Sequence, residues 1–440
     1  MTEFIGESPP TDPGARQGGG MIAVAVGLGI FGLSTYGFLG LAGQGLGPVR
    51  FAPLSVMWTL LNALGIGLFL PFEQELGRVT AMLRTRGEGN RAYARRVAAV
   101  ALTLLAGVVV VAALSGTFLS ERLFAGHAEL VVVFVLAMAG MACSYVVRGL
   151  LSGQGRFGHY GSQLAVDGVL RVAVAYLLFR FGVHSAVAYA LVLFATPVVA
   201  VLVTTPRLSV LVRPGGPEAA ARAVFRSVGT LLVASVLSQV LANAGLIIVQ
   251  LLATPAEAKV SGQFLAGLVI ARVPLFFFAA VQAVFLPGLA GQVSAHDGRG
   301  FRGRVFFVGV GTLVIGAVGT FAIWLLGPAL VPLLFGPEFS IDRPVITLIA
   351  VSGALFMLAQ VAAQALLALG NDRAVVIGWF LGLVGLLLAV AVPGELAARA
   401  GWSLVAGSAA ALVPLVVMMG VTYSRWRARI AAVPSPARSH

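Results

Sequence analysis

Residues 97–119 read VAAVALTLLAGVVVVAALSGTFL, an unbroken run without a charged side chain. An α-helix needs about 20 predominantly apolar residues to cross the hydrocarbon core of a bilayer. Arg95 and Arg96 stand directly before the run. This stretch therefore predicts a membrane-spanning helix that begins at a basic end.

The composition of the whole chain agrees with this stretch. Of the 440 residues, 59% are hydrophobic and 10% are charged, whereas an ordinary soluble domain carries about 25% charged residues. The 55 Gly also favour closely packed membrane helices. The composition excludes a soluble globular protein and predicts an all-α integral membrane protein.

Twelve spans emerge when the chain is divided wherever charges or Pro/Gly clusters interrupt an apolar run. The predicted spans are 21–42, 51–72, 97–119, 129–151, 162–182, 185–205, 227–252, 263–287, 305–326, 343–369, 374–393 and 402–423. No basic segment precedes the first span, so we expect that span to be retained rather than cleaved as a signal peptide.

The positive charges fall mainly on one side of these spans. With both termini on the same side, that side holds 21 of the 29 Lys and Arg, the opposite side holds 6, and Arg171 and Arg272 lie within spans. Cytoplasmic loops of membrane proteins carry such an excess. Both termini are therefore predicted to be cytoplasmic in a multi-pass protein of the cell membrane. The basic loops are explained by orientation and by attraction to anionic membrane lipid.

Two motifs repeat along the chain with one common offset. Phe69-Leu70-Pro71 recurs as Phe285-Leu286-Pro287, and Leu150-Leu151 recurs as Leu366-Leu367 at the same distance. Because six spans is an even number, two six-span copies enter the membrane in the same direction. We predict a parallel 6+6 repeat, with two six-helix lobes around a central cavity.

The predicted domains follow from this repeat. They are a disordered tail over 1–20, lobes over 21–205 and 227–423, a cytoplasmic linker over 206–226, and a basic cytoplasmic tail over 424–440. The linker contains Pro214, Gly215, Gly216 and Pro217, residues that are typical of loops.

Two stretches resemble one transporter family. Arg148-Gly-Leu-Leu-Ser-Gly-Gln-Gly-Arg-Phe-Gly-His-Tyr160 with Asp167-Gly-Val-Leu-Arg171 resembles the end of span 4 and the start of span 5 in Wzx-like polysaccharide flippases. These belong to the MOP superfamily, which also contains the MATE exporters and the MurJ lipid II flippases. Ala271-Arg272-Val273-Pro274 with Phe285-Leu286-Pro287 resembles the corresponding region of the second lobe.

The resemblance implies a MATE-like architecture and a flippase. Its substrate would be an undecaprenyl-diphosphate-linked oligosaccharide for polysaccharide biosynthesis, moved from the inner to the outer leaflet by alternating access. A polysaccharide polymerase or glycosyltransferases would be its partners. The chain departs from the pattern at Gln364 and Gly370-Asn-Asp-Arg373, where the second lobe is less basic than Arg148 to Arg156.

Arg272 is the strongest candidate for binding substrate. It lies well inside span 8 with no acidic residue within one helical turn. An Arg in hydrocarbon costs about 2.5–3.5 kcal/mol, so it usually faces a cavity or a partner, and its guanidinium matches the oxygens of a diphosphate. The alternative is an Arg bonded to backbone carbonyls of a helix broken near Pro274.

Three further sets of charged residues have a structural and a functional interpretation. Asp167 and Arg171 stand at i and i+4 in span 5, as a structural pair does, although Asp167 is also a possible coupling proton site with Arg171 contacting phosphate. Arg148 either snorkels at the end of span 4 or meets an entering head group. Glu73 and Glu75 are interpreted as structural acids in the head-group region.

Three amides of span 7, Gln239, Asn243 and Gln250, fall on one helical stripe. They suit either a cavity wall that binds sugar hydroxyls or interhelical hydrogen bonds.

The sequence predicts no enzyme, no metal site, no cofactor and no nucleic-acid partner. Cys143 is the single cysteine, the five His show no ligand spacing, and the Gly-rich pieces lack the lysine of a P-loop. Besides the flippase, three functions stay open: a MurJ-like lipid II flippase, a MATE-like cation-coupled exporter and a non-transporting envelope scaffold. The exporter is disfavoured because Asp167 is the only acid well inside any span.

The charge bias predicts that the 43–50, 253–261 and 394–401 loops face outward. In sealed cells of a Cys143→Ser background, single cysteines in these loops should react with a membrane-impermeant maleimide. Cysteines placed over 84–96 should react only after permeabilisation. External labelling over 84–96 would contradict the orientation.

Overall fold

The computed structural model describes residues 13–216, 221–275 and 291–431, together with Phe278, Phe285 and Leu289. Every regular element in these residues is a helix. We number the long helices α1 to α12 along the chain. They are α1 Pro13–Leu60, α2 Gly67–Thr85, α3 Arg91–Leu114, α4 Ala128–Gly153, α5 Phe157–Arg180, α6 Ala186–Thr204, α7 Ala221–Leu252, α8 Val260–Ala271, α9 Gly298–Phe335, α10 Arg343–Ala368, α11 Asp372–Val390 and α12 Leu396–Ala431.

The predicted spans map onto these twelve helices. Ten helical segments of the described residues are long and apolar enough to cross a membrane, and the first of them, Ile22–Thr85, contains the first two predicted spans. Val260–Ala271 is a shorter apolar helix and forms the first part of predicted span 8. The rest of that span lies mostly outside the described residues. The fold is therefore that of a multi-pass, all-α membrane protein.

Helix α1 is broken at Gly47, whose φ of 68° and ψ of 167° are not helical. A positive φ is open to Gly because it has no Cβ, and the following Pro48 has no N–H to continue the helical hydrogen bonds. The break separates the first span from the second. A π-helical turn, Leu61–Ile66, then joins α1 to α2.

The two lobes use the same helix pairing. In the first lobe α1 packs on α5, α2 on α4, α4 on α6 and α5 on α6. In the second lobe α7 packs on α11, α8 on α10, α10 on α12 and α11 on α12. Each pair of the first lobe recurs six helices later, as the parallel 6+6 prediction requires.

The repeated motifs lie at equivalent places. Phe69 and Phe285 are both buried, and Leu150 and Leu366 are buried near the ends of α4 and α10. Leu286 and Pro287 lie outside the described residues. Small residues allow close helix contacts. At Gly161, for example, an added Cβ would clash with the backbone of Ala23.

The predicted tails and linker differ in part from the structure. Residues 1–12 lie outside the described residues, but 13–20 belong to α1. At the other end α12 runs to Ala431, so helix extends into the predicted basic tail, and 432–440 lie outside the described residues. The linker contains a short helix, Leu208–Leu211, and α7 begins at Ala221, before the start of predicted span 7.

Asn90 attaches the linker to the first lobe. Its side-chain Nδ2 donates to the carbonyl of Leu211 at 3.0 Å, and its Oδ1 accepts from the backbone N–H of Arg213 at 2.8 Å. The backbone N–H groups of Asn90 and Arg91 both donate to the Arg213 carbonyl. The linker is therefore attached to the first lobe as far as Arg213.

We expect Asn90→Ala to lower the thermal unfolding midpoint of the purified protein. Asn90 is buried, and losing its side chain leaves the Arg213 N–H without its acceptor, at a cost of about 1–3 kcal/mol, while the Leu211 carbonyl keeps only its bond from Gln154. Asn90→Asp keeps the acceptor for Arg213 and should give a smaller decrease. An unchanged midpoint for Asn90→Ala would show that the linker is held by other contacts.

Candidate functional site

The lobes meet closely at one end of the bundle, which we call the sealed end. There Gln44 of α1 donates its side-chain Nε2 to the carbonyl of Leu334 in α9 at 2.8 Å. A Cβ added at Gly262 of α8 would clash with the carbonyl of Pro48. Phe51 packs on Phe335 and Phe339 with ring centroids 5.9 and 5.7 Å apart. These contacts close the space between the lobes on the side of the 43–50 loop.

The burial of α1 changes along its length. Phe38 and Leu39, toward the sealed end, are fully buried, whereas Val26 and Leu33, toward the start of the helix, are 54% and 76% exposed. The start of α1 packs against α5, where Gly27 and Gly161 lie in close contact. The N-terminal half of α1 therefore presents exposed apolar side chains, as a lipid-facing helix surface does.

Arg272 lies at the end of α8 and points toward α7. Its Nη1 donates to Oδ1 of Asn243 at 3.0 Å, and its Nη2 donates to the carbonyl of Ala242. Among the described residues Arg272 forms no ion pair. Its guanidinium thus keeps a net positive charge inside the second lobe.

A small cavity of about 20 Å³ adjoins Arg272. Ser352 of α10 and Ser408 of α12 also line it. A water needs about 10–15 Å³ of such space, so this cavity holds about one water and no sugar. A large ligand of Arg272 requires the second lobe or the lobe interface to move.

Asp167 and Arg171 form a buried pair in α5. The Arg171 Nη2 donates to both carboxylate oxygens of Asp167, at 3.0 and 3.1 Å, and the Thr196 hydroxyl of α6 donates to the same carboxylate at 2.7 Å. The Arg171 guanidinium lies over Phe31 and Trp58 of α1. The i, i+4 spacing thus produces an ion pair, and Thr196 is the partner that sequence spacing did not reveal.

Arg148 is paired with Glu73. Its Nε donates to the Glu73 carboxylate at 2.9 Å, and the Tyr160 hydroxyl donates to the other oxygen at 2.7 Å. The guanidinium also lies 4.2 Å from the centre of the Tyr145 ring. Glu73 is only 9% exposed, so its place is a buried ion pair rather than the open head-group region expected from the sequence.

Glu75 has a separate role two residues later. It accepts two hydrogen bonds from Arg78 at 2.9 Å and one from Tyr93 at 3.0 Å. Both acids of this segment therefore link helices of the first lobe, which agrees with their structural interpretation.

The three amides of α7 have different surroundings. Asn243 is buried and holds Arg272, while its Nδ2 donates to the Gln239 carbonyl at 2.8 Å. Gln250 donates to the carbonyl of Arg122 in the first lobe at 3.3 Å. Asn243 thus positions Arg272, Gln250 joins the lobes, and Gln239 lies half-buried one turn from Asn243.

Comparisons of the sequence find relatives that match along most of the chain. No family model matches the chain. An uncharacterized protein of Mycobacterium tuberculosis, Rv1510, is 27% identical over 91% of this chain and 90% of its own length. Another, Mb3654 of Mycobacterium bovis, is 25% identical, with 90% of each chain covered.

Among solved structures, the chain is similar to a multidrug resistance MATE family transporter of the MOP superfamily in two conformations. The inward-facing one gives a TM-score of 0.69 at 13% identity, covering 93% of this chain and 99% of that chain. The outward-facing one gives 0.68 at 15% identity, covering 95% and 97%. A eukaryotic MATE transporter gives 0.65 at 15% identity, covering 94% and 98%. The chain has the MATE fold.

The buried pair in α5 can be tested by removing its charges singly and together. Asp167→Asn or Arg171→Gln alone should lower the amount of folded protein, because removing one partner of a buried pair costs about 3–5 kcal/mol. The double variant should restore folded protein and transport. Abundance is measured by fluorescence-detected size exclusion.

If Asp167 carries a coupling proton, the double variant will be folded but inactive. That result, together with transport that depends on the proton gradient in the parent protein, would overturn the structural role of the pair.

Proposed function

We propose that this protein is a flippase for an undecaprenyl-diphosphate-linked oligosaccharide, which it moves from the inner to the outer leaflet by alternating access of its two lobes. The observation that carries the proposal is that the hydrogen-bond partners of Arg272 are neutral groups. Among the intramembrane arginines of the described residues, Arg148 and Arg171 each pair with a carboxylate, whereas Arg272 has only neutral partners. An unneutralised guanidinium suits an anionic substrate.

The chemistry of Arg272 fits a diphosphate. A guanidinium offers five N–H donors in a planar fork that matches phosphate oxygens in pairs, and an electrostatic contact gains strength away from bulk water. Asn243 and the Ala242 carbonyl occupy only part of this fork. The amides hold the guanidinium in place without cancelling its charge, so an arriving diphosphate would be its first full counter-ion.

The helix arrangement fits alternating access. The lobes are closed at the sealed end. With the orientation predicted from the charge bias, that end faces outward, so a lipid-linked precursor would enter from the cytoplasmic side, where it is assembled. Opening the sealed end requires separating Gln44 from Leu334 and Gly262 from Pro48.

A MATE-like cation-coupled exporter is the second candidate. The fold supports it equally, and Asp167 with Thr196 provides a buried carboxylate in the first lobe. Against it, Arg171 already neutralises that carboxylate, and a cationic drug would be repelled by Arg272. Efflux of a cationic dye that requires Asp167 and tolerates Arg272→Ala would favour the exporter.

We expect Arg272→Ala to abolish flipping while leaving abundance near that of the parent, because removing an unpaired charge lowers the cost of burial. Arg272→Lys should recover part of the activity, since an ammonium cannot form the bidentate phosphate contact. Arg343→Ala, at an exposed arginine beside Trp324, is the matched control. Flipping is measured with a fluorescent undecaprenyl-diphosphate oligosaccharide in proteoliposomes, by quenching of the probe in the outer leaflet.

Flipping by Arg272→Ala at the parental rate would refute the role of this residue. No flipping by the parent protein, with intact proteoliposomes and several glycans, would refute the proposed function itself.

A further inference from the structure

The small cavity beside Arg272 lies between four helices of the second lobe. It is lined by Ala242 of α7, Arg272 of α8, Ser352 of α10 and Ser408 of α12, and its other described lining residues are apolar. No acidic side chain is among the described residues that line it. The cavity therefore combines a positive charge with two hydroxyl groups and has no carboxylate to neutralise the charge.

The hydroxyl of Ser352 is bonded within its own helix. It donates to the carbonyl of Ile349 at 2.7 Å. Ser403 of α12 does the same, donating to the carbonyl of Arg399 at 2.7 Å. Serine side chains commonly bond in this way to a nearby carbonyl of the preceding turn. Because a hydroxyl has one O–H donor, neither serine has a donor left for a ligand.

Ser408 differs from these two serines. Only 4% of the residue is exposed, and its hydroxyl forms no hydrogen bond with any described residue. A buried hydroxyl without a partner is unfavourable, so such groups are normally satisfied by the protein, by water or by a ligand. The O–H of Ser408 is therefore available to a group that enters the cavity.

Arg272 has donors left as well. A guanidinium carries five N–H groups, and among the described residues the Asn243 amide and the Ala242 carbonyl accept one hydrogen bond each. The cavity of about 20 Å³ has room for one water-sized group. The group that best suits this space is a single oxygen that carries negative charge, because it accepts from both N–H and O–H donors.

We propose that the cavity holds one oxygen of the diphosphate that binds Arg272, with the Ser408 hydroxyl as its second donor, an inference that rests on the proposed function. The oxygen takes the place of the single water that the cavity can hold, and the rest of the diphosphate stays outside. Ser408 and Arg272 belong to different helices, so the bound oxygen links α12 to α8. Ser408 is thus a substrate-contacting residue that recognises the phosphate and not the glycan.

The experiment measures binding to the intact protein in phosphatidylcholine nanodiscs. Undecaprenyl diphosphate and inorganic diphosphate are the two probes, since both carry the phosphate oxygens and only the first carries a lipid. Ser408→Ala removes the hydroxyl, and Ser408→Thr keeps it. Ser403→Ala is the matched control, because Ser403 is also buried in α12 and its hydroxyl is bonded to the backbone.

We expect Ser408→Ala to weaken binding of both probes by about tenfold or more, the effect of losing one hydrogen bond to a charged group. Its thermal unfolding midpoint without ligand should not fall, because the lost hydroxyl has no partner among the described residues. Ser408→Thr should bind close to the parental affinity, and Ser403→Ala should bind both probes like the parent.

Parental affinity of Ser408→Ala for both probes would overturn the assignment of Ser408 while leaving the flippase intact. A loss of affinity that comes with a lower unfolding midpoint would show a structural role and overturn it too. Parent protein that binds neither probe, or inorganic diphosphate alone, would instead refute the proposed function.

Discussion

A buried guanidinium that has no carboxylate partner among the described residues is the constraint on which the rest of this structure depends. Burying it costs several kcal/mol unless hydrogen-bond acceptors surround it, because a guanidinium has N–H donors and no acceptor. The protein meets this need with the Asn243 amide and the Ala242 carbonyl of α7, which are neutral. The charge is thereby solvated by dipoles but not cancelled.

The neighbouring break in α8 follows from the same constraint. A regular α-helix would direct residues 272 to 275 around the axis in steps of about 100°, with every carbonyl bonded. Pro274 prevents that pattern, and the turn at Arg272 lets the side chain reach α7 while Val273 and Pro274 face α9. One interruption of the helix therefore produces a cationic surface on one side and an apolar surface on the other.

Much of the fold was predictable because the bilayer allows few solutions. The lengths of the apolar runs indicated the helices, and the common offset of the two repeated motifs indicated the repeated pairing that the two lobes display. The Asp167–Arg171 pair could also be predicted, because residues at i and i+4 lie on one face of a helix. Glu73 and Arg148 were not recognised as partners, because they lie far apart in the sequence and only the packing of α2 on α4 brings them together. Likewise, the sequence showed Gln250 as part of an amide stripe, whereas its contact with Arg122 depends on how the lobes meet.

The two lobes share a fold but differ in whether their intramembrane arginines are paired with acids. In the first lobe each intramembrane arginine is matched by an acid and an additional hydroxyl, Tyr160 for Glu73 and Thr196 for Asp167, so its interior is close to electrically neutral. In the described part of the second lobe Arg272 is not matched. A ligand that carries negative charge therefore changes the electrostatic energy of the second lobe much more than that of the first. For the anionic substrate proposed above, the repeated architecture would be functionally asymmetric, because binding would act mainly on the second lobe.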